Sequence, residues 1–151
     1  MTREFSAGGI VFRKFQIPNS KFQIKWLVCQ HSQHKGWVFP KGFIGDHPSV
    51  NSGQTETKEE AALREVEEET GIKGKILKEL SKPATYFYVW KGEKRFKTVY
   101  YFLMEFIGGD TKNHDFEMSA VEWLTEEEVK KRLTYKGDKL AFEEALKMMN
   151  K

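Results

Sequence analysis

The hydrophobic positions of this chain form short runs bounded by glycine, proline, asparagine and charged residues, a pattern typical of β-strands. The first two runs, 6–12 and 22–30, predict a pair of strands joined by a turn around Pro18 and Asn19. Further runs predict five more strands, with a hairpin turn at 91–94: 37–40, 74–80, 85–90, 95–106 and 120–124. Loops rich in polar residues and glycine separate these runs at 41–54 and 108–117.

Three segments predict helices. The first begins near Thr57, where Thr57 and Glu60 fit a capping box, and the second covers 125–133 with the same motif at Thr125 and Glu128. The third covers 139–149. Helices interspersed with strands, without a regular βαβ order, favour a mixed sheet with helices packed on it, an α/β (α+β) fold.

Length and composition are those of one ordinary globular domain over residues 1–151. The net charge of +3 is too small to indicate a nucleic-acid polymer as partner. The single cysteine, Cys29, lies in an apolar run and is expected to be a buried, inert thiol. No stretch resembles a signal peptide or reaches the roughly 20 apolar residues of a membrane span. We therefore expect a cytoplasmic protein without a membrane partner, either a monomer or a weak homodimer.

The helix that begins near Thr57 ends in "REVEEETG", which places acidic residues where the helix dipole is negative. Helical geometry puts Glu65, Glu68 and Glu69 on one arc about 100° wide. It predicts a buried stripe formed by Ala62, Leu63 and Val66, and it directs Glu67 away from the arc. Three carboxylates this close favour a hard divalent cation, Mg²⁺ or Mn²⁺, which also binds phosphate oxygens. A solvated acidic helix face is the alternative that this helix alone leaves open.

From Glu56 onward the spacing E-x7-R-E-U-x-E-E-x-G-U, where U is a bulky aliphatic residue, resembles the second part of the Nudix box. The chain departs from the pattern at the first glycine of that box, which would stand at position 50, where the chain has Val50. Gly42 looks like its equivalent, which leaves an insertion of about eight residues in the loop before the helix. "AGGIVFRK", "WVFPKG", "KTVYYFLMEF", "FEMSAVEWL" and "LTYKGDKLAFEEAL" look most like the diadenosine tetraphosphate hydrolase branch of that family. The resemblance implies an α/β/α sandwich on a mixed sheet.

The resemblance also implies roles for individual residues. Glu65, Glu68 and Glu69 would bind one to three divalent ions, and one of them, or Glu117, would orient or deprotonate the attacking water. Glu117 is in addition a candidate distal metal ligand. Arg64 would orient a box glutamate, whereas Glu56 is expected to have a structural role. The candidate substrate contacts are Lys41, Gly42 and Lys97 for phosphate, and Tyr88 and Tyr135 for stacking on adenine.

The function expected from this resemblance is hydrolysis of diadenosine tetraphosphate to ATP and AMP. A nucleoside triphosphate, ADP-ribose, an RNA 5′ end or an inositol pyrophosphate are alternative substrates of the same class. A nucleotide-binding module without catalysis and a protein-docking acidic helix are alternatives of other classes. His31 and His34 have no partners at the spacing of a zinc site, although His34 is a candidate for the pocket entrance.

Overall fold

The computed structural model describes residues 1–19, 21–45 and 56–150. The inserted segment of the loop before the first long helix, with Val50, lies outside the described residues. The strands are β1 (Thr2–Ile17), β2 (Lys21–His31), β3 (Trp37–Val38), β4 (Lys41–Phe43), β5 (Ile72–Glu79), β6 (Ala84–Trp90), β7 (Glu93–Gly109) and β8 (Met118–Leu124). The helices are α1 (Lys58–Thr70), α2 (Glu126–Arg132) and α3 (Lys136–Met149), with a short 3₁₀ turn (Thr111–Asn113).

The eight strands form one mixed sheet in which β3, β2, β1, β7 and β5 are consecutive neighbours. The β1–β7 pair is parallel, and every other pair between the described strands is antiparallel. Strand β7 is long enough to pair with β5 along one half and with β6 along the other. The predicted mixed sheet is confirmed.

Side chains that alternate along the strands build two hydrophobic cores, one on each face of the sheet. On β1, Ile10 and Phe12 pack into the core that also contains Phe142 of α3, whereas Val11 packs into the core that contains Ala62 and Val66 of α1. The sheet is therefore covered by α1 on one face and by α2 and α3 on the other. This is the α/β/α sandwich that the sequence predicts.

Several predicted boundaries are wrong. Residues 41–43 belong to the sheet as β4, where a loop was expected, because their backbone pairs with residues 6–8 of β1. The expected strand 37–40 is only Trp37–Val38, and α3 begins at Lys136 rather than at 139. The strand expected at 6–12 extends over Thr2–Ile17, since β7 pairs with it from Thr2 onward.

The loop after β7 is attached to the C-terminal end of α1. Gly71 adopts the left-handed conformation that ends the helix, and its carbonyl accepts a hydrogen bond from the Asp110 amide at 3.2 Å. The Asp115 amide donates to the Glu68 carbonyl, also at 3.2 Å. These bonds bring the segment 110–117, which contains Glu117, against the acidic end of α1. Within the described residues, no helix is long and apolar enough to cross a membrane.

Candidate active site

Helix α1 is fixed at its N-terminal end by the predicted capping box. The Thr57 hydroxyl accepts from the Glu60 amide at 3.1 Å, and the Glu60 carboxylate accepts from the Thr57 amide at 3.0 Å. Its last turn contains no basic residue, so the dipole there is not offset by a side chain of that turn. The acidic charges of this turn are therefore offset by groups outside it.

Two of the three box carboxylates are turned towards the sheet. Glu69 is only 5% exposed, and its Oε1 accepts a hydrogen bond from the Lys41 amide at 3.2 Å. The Glu65 carboxylate lies so close to Gly42 that a Cβ at residue 42 would overlap it. Leu63 is exposed, which corrects the prediction that it belongs to the buried stripe. The buried residues of α1 are instead Ala61, Ala62, Val66, Glu69 and Thr70.

Arg64 connects the carboxylates. Its guanidinium binds both oxygens of Glu56, with Nε 2.6 Å from Oε2 and Nη2 2.8 Å from Oε1, in the two-pronged geometry that favours arginine over lysine. Nη1 donates to Glu65 at 2.6 Å and to Glu68 at 3.2 Å, and Nη2 also donates to the Phe43 carbonyl. Arg64 thus pairs with two box glutamates, and its other carboxylate partner, Glu56, is buried.

Burial makes negative charge unfavourable at the two inward carboxylates. It raises the pKa of Glu65, against the lowering effect of Arg64, and the charges of Glu68 and Glu117 raise this pKa further. Burial also raises the pKa of Glu69 well above its usual range, although the Lys41 charge acts in the opposite direction. A further cation near these two groups would relieve this cost.

The fit of these carboxylates to a divalent metal depends on their geometry and on their donor atoms. Among the residues that the structure describes, no three His, Cys, Asp or Glu side chains converge on one point that would hold a metal ion. Arg64 instead donates to both Glu65 and Glu68, so a positively charged group already lies between two of the carboxylates. The oxygen-only donor set, with two members largely buried, fits the chemistry of Mg²⁺ or Mn²⁺.

Glu117 is near this group although it lies far from it in sequence. Its carbonyl accepts from the Ser32 amide at 2.9 Å and from the Ser32 hydroxyl at 2.8 Å, which fixes its backbone. Its charge contributes to the raised pKa of Glu65, so the two carboxylates are within electrostatic reach of each other. Asp115 of the same segment raises the pKa of Glu69, and sequence reasoning missed it because only the folded loop brings it there.

The ammonium groups of Lys41 and Lys97 lie close enough for their charges to interact. The pKa of Lys97 is lowered by burial and then by the Lys41 charge. The Lys97 ammonium is 5.4 Å from the Phe43 ring centroid and 5.8 Å from that of Tyr88. The Lys41 charge lowers the pKa of Glu69, and the Glu69 charge raises the pKa of Lys97. The basic and acidic groups therefore form one continuous region.

The two predicted stacking tyrosines have different neighbours. The Tyr88 hydroxyl donates to Glu4, and its ring is next to Lys97. The Tyr135 hydroxyl is 3.1 Å from Nδ1 of His34, whose pKa is lowered by burial, then by His31, and then by Lys41 and Lys97. His34 stacks on His31 with ring centroids 4.1 Å apart. Tyr88 is therefore next to the lysine pair, whereas Tyr135 contacts His34.

Sequence reasoning missed Tyr86. It pairs with Lys97 in the β6–β7 register, and its ring centroid is 5.8 Å from the Lys41 ammonium. Tyr86 and Tyr88 alternate onto the same face of β6, so the pattern alone marked both residues equally. Tyr86 thus joins Lys41 and Lys97 in one contact region.

Comparison with known proteins identifies the family. The model of the NUDIX domain matches residues 15–144. The chain belongs to the Nudix family. It is 34% identical over 150 residues to a Mycobacterium tuberculosis protein named "Putative mutator protein MutT4". The match covers 98% of this chain and 56% of that relative, so the chain spans about half of the relative's length.

Solved Nudix structures share the fold. A C. elegans Ap4A hydrolase in a binary complex superposes with a TM-score of 0.68 at 21% identity, over 97% of this chain and 98% of that one. The NUDIX domain of Shewanella oneidensis NrtR, complexed with ADP ribose, gives a TM-score of 0.68 at 18% identity, over 99% of this chain and 90% of that one. At these identities the likeness concerns the fold alone.

Proposed function

We propose that this protein is a metal-dependent pyrophosphohydrolase that cleaves diadenosine tetraphosphate to ATP and AMP. The observation that carries the proposal is the direct neighbourhood of buried carboxylates and lysines, in which the Glu69 carboxylate accepts a bond from the backbone of Lys41. Carboxylates on one side and ammonium groups on the other suit a ligand that combines a divalent cation with a chain of phosphates.

Glu65, Glu68 and Glu69 would hold Mg²⁺ or Mn²⁺, with Glu117 as a candidate further ligand. A bound divalent cation supplies the positive charge that activates water and offsets the charge of the phosphates. Arg64 keeps Glu56, Glu65 and Glu68 in place through four hydrogen bonds. Its role is to position those carboxylates rather than to contact the substrate.

The reaction is a substitution at phosphorus. Water adds its oxygen to the phosphorus atom, the bond from phosphorus to the oxygen of the departing nucleotide breaks, and one proton of the water passes to a carboxylate. Glu117 and the three box glutamates are the candidates for that carboxylate. Lys41 and Lys97 bind the phosphates, Gly42 allows the close approach of Glu65, and Tyr88 and Tyr135 stack on adenine.

Two rival substrates remain. One is a nucleoside triphosphate, an alternative of the same class, and the other is ADP-ribose, which is bound in the solved NrtR complex. We favour the dinucleotide because the motifs around Lys41 and Tyr135 look most like the tetraphosphatase branch. We further propose a cytoplasmic protein that acts on small nucleotides as a single Nudix domain, as a monomer or weak homodimer.

The experiment is a turnover assay with Mg²⁺ on diadenosine tetraphosphate, ADP-ribose and dGTP, for the wild type, Glu68→Gln and Glu67→Gln. Glu67 is exposed on the same helix, so it controls for loss of a charge on α1. We expect ATP and AMP from the dinucleotide, with turnover lost in Glu68→Gln and kept in Glu67→Gln. Preferred turnover of a rival would reject the substrate, and binding without turnover of any substrate would reject the enzyme.

A further inference from the structure

The first turn of α3 differs from those of the other two helices. In α1 and α2, the acidic third residue, Glu60 or Glu128, reaches back to the amide of the capping residue. In α3 the acidic third residue is Asp138, and the capping residue Tyr135 makes no side-chain capping bond. Asp138 thus occupies the third position of the helix, as Glu60 and Glu128 do in theirs, but its carboxylate has other partners.

Those partners are two phenols. Asp138 is 0% exposed, and its Oδ1 accepts from the Tyr86 hydroxyl at 2.8 Å and from the Tyr101 hydroxyl at 2.7 Å. Within the described part of the chain, its Oδ2 has no hydrogen-bond partner. A carboxyl group buried in this way is costly, and an apolar residue in its place would avoid the cost. The arrangement therefore indicates a role other than stability.

The same turn also contacts the Tyr86 ring through its backbone. A Cβ at Gly137 would be 2.8 Å from Cε1 and Cζ of Tyr86. The hydroxyl of Tyr86 is thus held by Asp138, and its ring packs directly on the backbone of residue 137. The Lys41 ammonium is 5.8 Å from the centroid of that ring, within the range of a cation–π contact.

We propose that Asp138 is a positioning residue for Lys41. Asp138 accepts a hydrogen bond from the Tyr86 hydroxyl and so fixes the orientation of the ring. The ring in turn fixes the position of the Lys41 ammonium. The inference rests on the proposed function in one respect, that Lys41 binds a phosphate of the substrate. The coupling between Asp138, Tyr86 and Lys41 is a property of the protein without ligand.

Tyr101 provides a matched control. Tyr86→Phe and Tyr101→Phe each delete one phenol that donates to the same oxygen of Asp138. Only Tyr86 has its ring next to Lys41, whereas the Tyr101 ring lies edge-on to Phe39 with centroids 6.0 Å apart. A purely structural role of the cluster would make the two variants similar, and a positioning role would make them differ.

The first test measures binding of inorganic tripolyphosphate by calorimetry, together with KM and kcat for diadenosine tetraphosphate. Tyr86→Phe, which removes the donor, and Asp138→Leu, which removes the acceptor, should weaken binding and raise KM by about fivefold, as expected if the ring moves away from Lys41. Their kcat should change by less than about twofold, because the lost contact serves binding. Tyr101→Phe should change KM less than Tyr86→Phe. Equal effects of the two phenylalanine variants, or an unchanged KM in Tyr86→Phe, would overturn the inference.

The second test needs no substrate. The side-chain methylene resonances of Lys41, assigned by their loss in Lys41→Arg, should move in Tyr86→Phe, Asp138→Leu and Gly137→Ala. Gly137→Ala adds a methyl group against the ring while alanine favours the helix, so it displaces Tyr86 without unfolding α3. Resonances that stay in place in all three variants would reject the inference. A protein without turnover whose Lys41 resonances do move would reject the proposed function and keep the coupling.

Discussion

The carboxylate of Glu65 lies directly against Gly42, in space that any side chain at residue 42 would occupy. Gly42 has an ordinary strand conformation, so the requirement for glycine comes from this close approach and not from the backbone. Strand β4 thus fixes the direction of a carboxylate that α1 provides.

Gly42→Ala should therefore displace Glu65. We expect a loss of about 1–3 kcal/mol in the free energy of unfolding, as for other overpacked sites, together with a fall in kcat. Gly108→Ala is the matched control, since it also lies in a strand and a Cβ there would meet no atom within 4 Å. Urea denaturation and turnover assays check both variants. Full activity in Gly42→Ala would contradict the importance of this contact.

Arg64→Ala should be the most destabilising change in the site. It removes the charged partner of the buried Glu56 and two further carboxylate contacts, for which we expect a loss of about 3 kcal/mol. Arg132→Ala removes an exposed ion pair with Glu122 and should cost less than about 1 kcal/mol. Arg64→Lys should not restore stability, because an ammonium cannot bind both oxygens of Glu56 as the guanidinium does. The free energies of unfolding of the three variants test this order.

Divalent metal should raise the melting temperature. Binding to the folded state alone stabilises it by about 2.7 kcal/mol when the free metal is at 100 times Kd. The upward shift with millimolar Mg²⁺ or Mn²⁺ should disappear in Glu65→Gln, Glu68→Gln and Glu69→Gln. It should persist in Glu67→Gln, whose side chain is exposed. A shift that persists in all four variants would place the metal elsewhere, and no shift in the wild type would exclude it.

Lys97→Met should stabilise the protein while weakening phosphate binding. The folded state lowers the pKa of Lys97 through burial and the Lys41 charge, so the charged form is the unfavourable one. The gain in melting temperature should be complete below the folded pKa of Lys97. It should shrink as the pH rises through that pKa towards the unfolded value of about 10.4, because the wild-type lysine is then neutral.

The matched control for this prediction is Lys94→Met, an exposed lysine on the same strand. It should change neither the melting temperature nor KM. Calorimetric melting at several pH values, with KM measured at neutral pH, separates the two variants. A lower melting temperature in Lys97→Met at neutral pH would show that burial of the lysine is not the dominant cost.

Local signals in the sequence predicted both ends of α1 and the start of α2. Both capping boxes and the stop at Gly71 depend on residues within one turn, so the sequence contains all their partners. The mixed sheet was predicted from the order of the elements, in which helices are interspersed with strands without a regular βαβ order. The family pattern located the acidic helix, whose tertiary neighbours then had to come from the structure.

The orientation of α1 was less predictable. Periodicity gives the angles between Glu65, Leu63 and Glu69 but not which direction faces the sheet, and hydropathy wrongly favoured Leu63. The inward carboxylates of Glu65 and Glu69 are stabilised by hydrogen bonds from Arg64 and from an amide of β4, respectively. Hydropathy values contain no information on such bonds. Tyr86 was missed for a related reason, since only the pairing of β6 with β7 places it opposite Lys97.

The Glu56 carboxylate joins the two ends of a chain segment as well as supporting Arg64. One of its oxygens accepts from the Gly45 amide at 2.9 Å, so residues 45 and 56 are tied to each other and to α1. Because both ends of the segment between them are fixed in this way, its length is uncoupled from the geometry of α1. Doubling the length of a loop costs only about 0.6 kcal/mol in closure entropy. A longer or shorter segment between residues 45 and 56 should therefore leave the carboxylates of α1 in place.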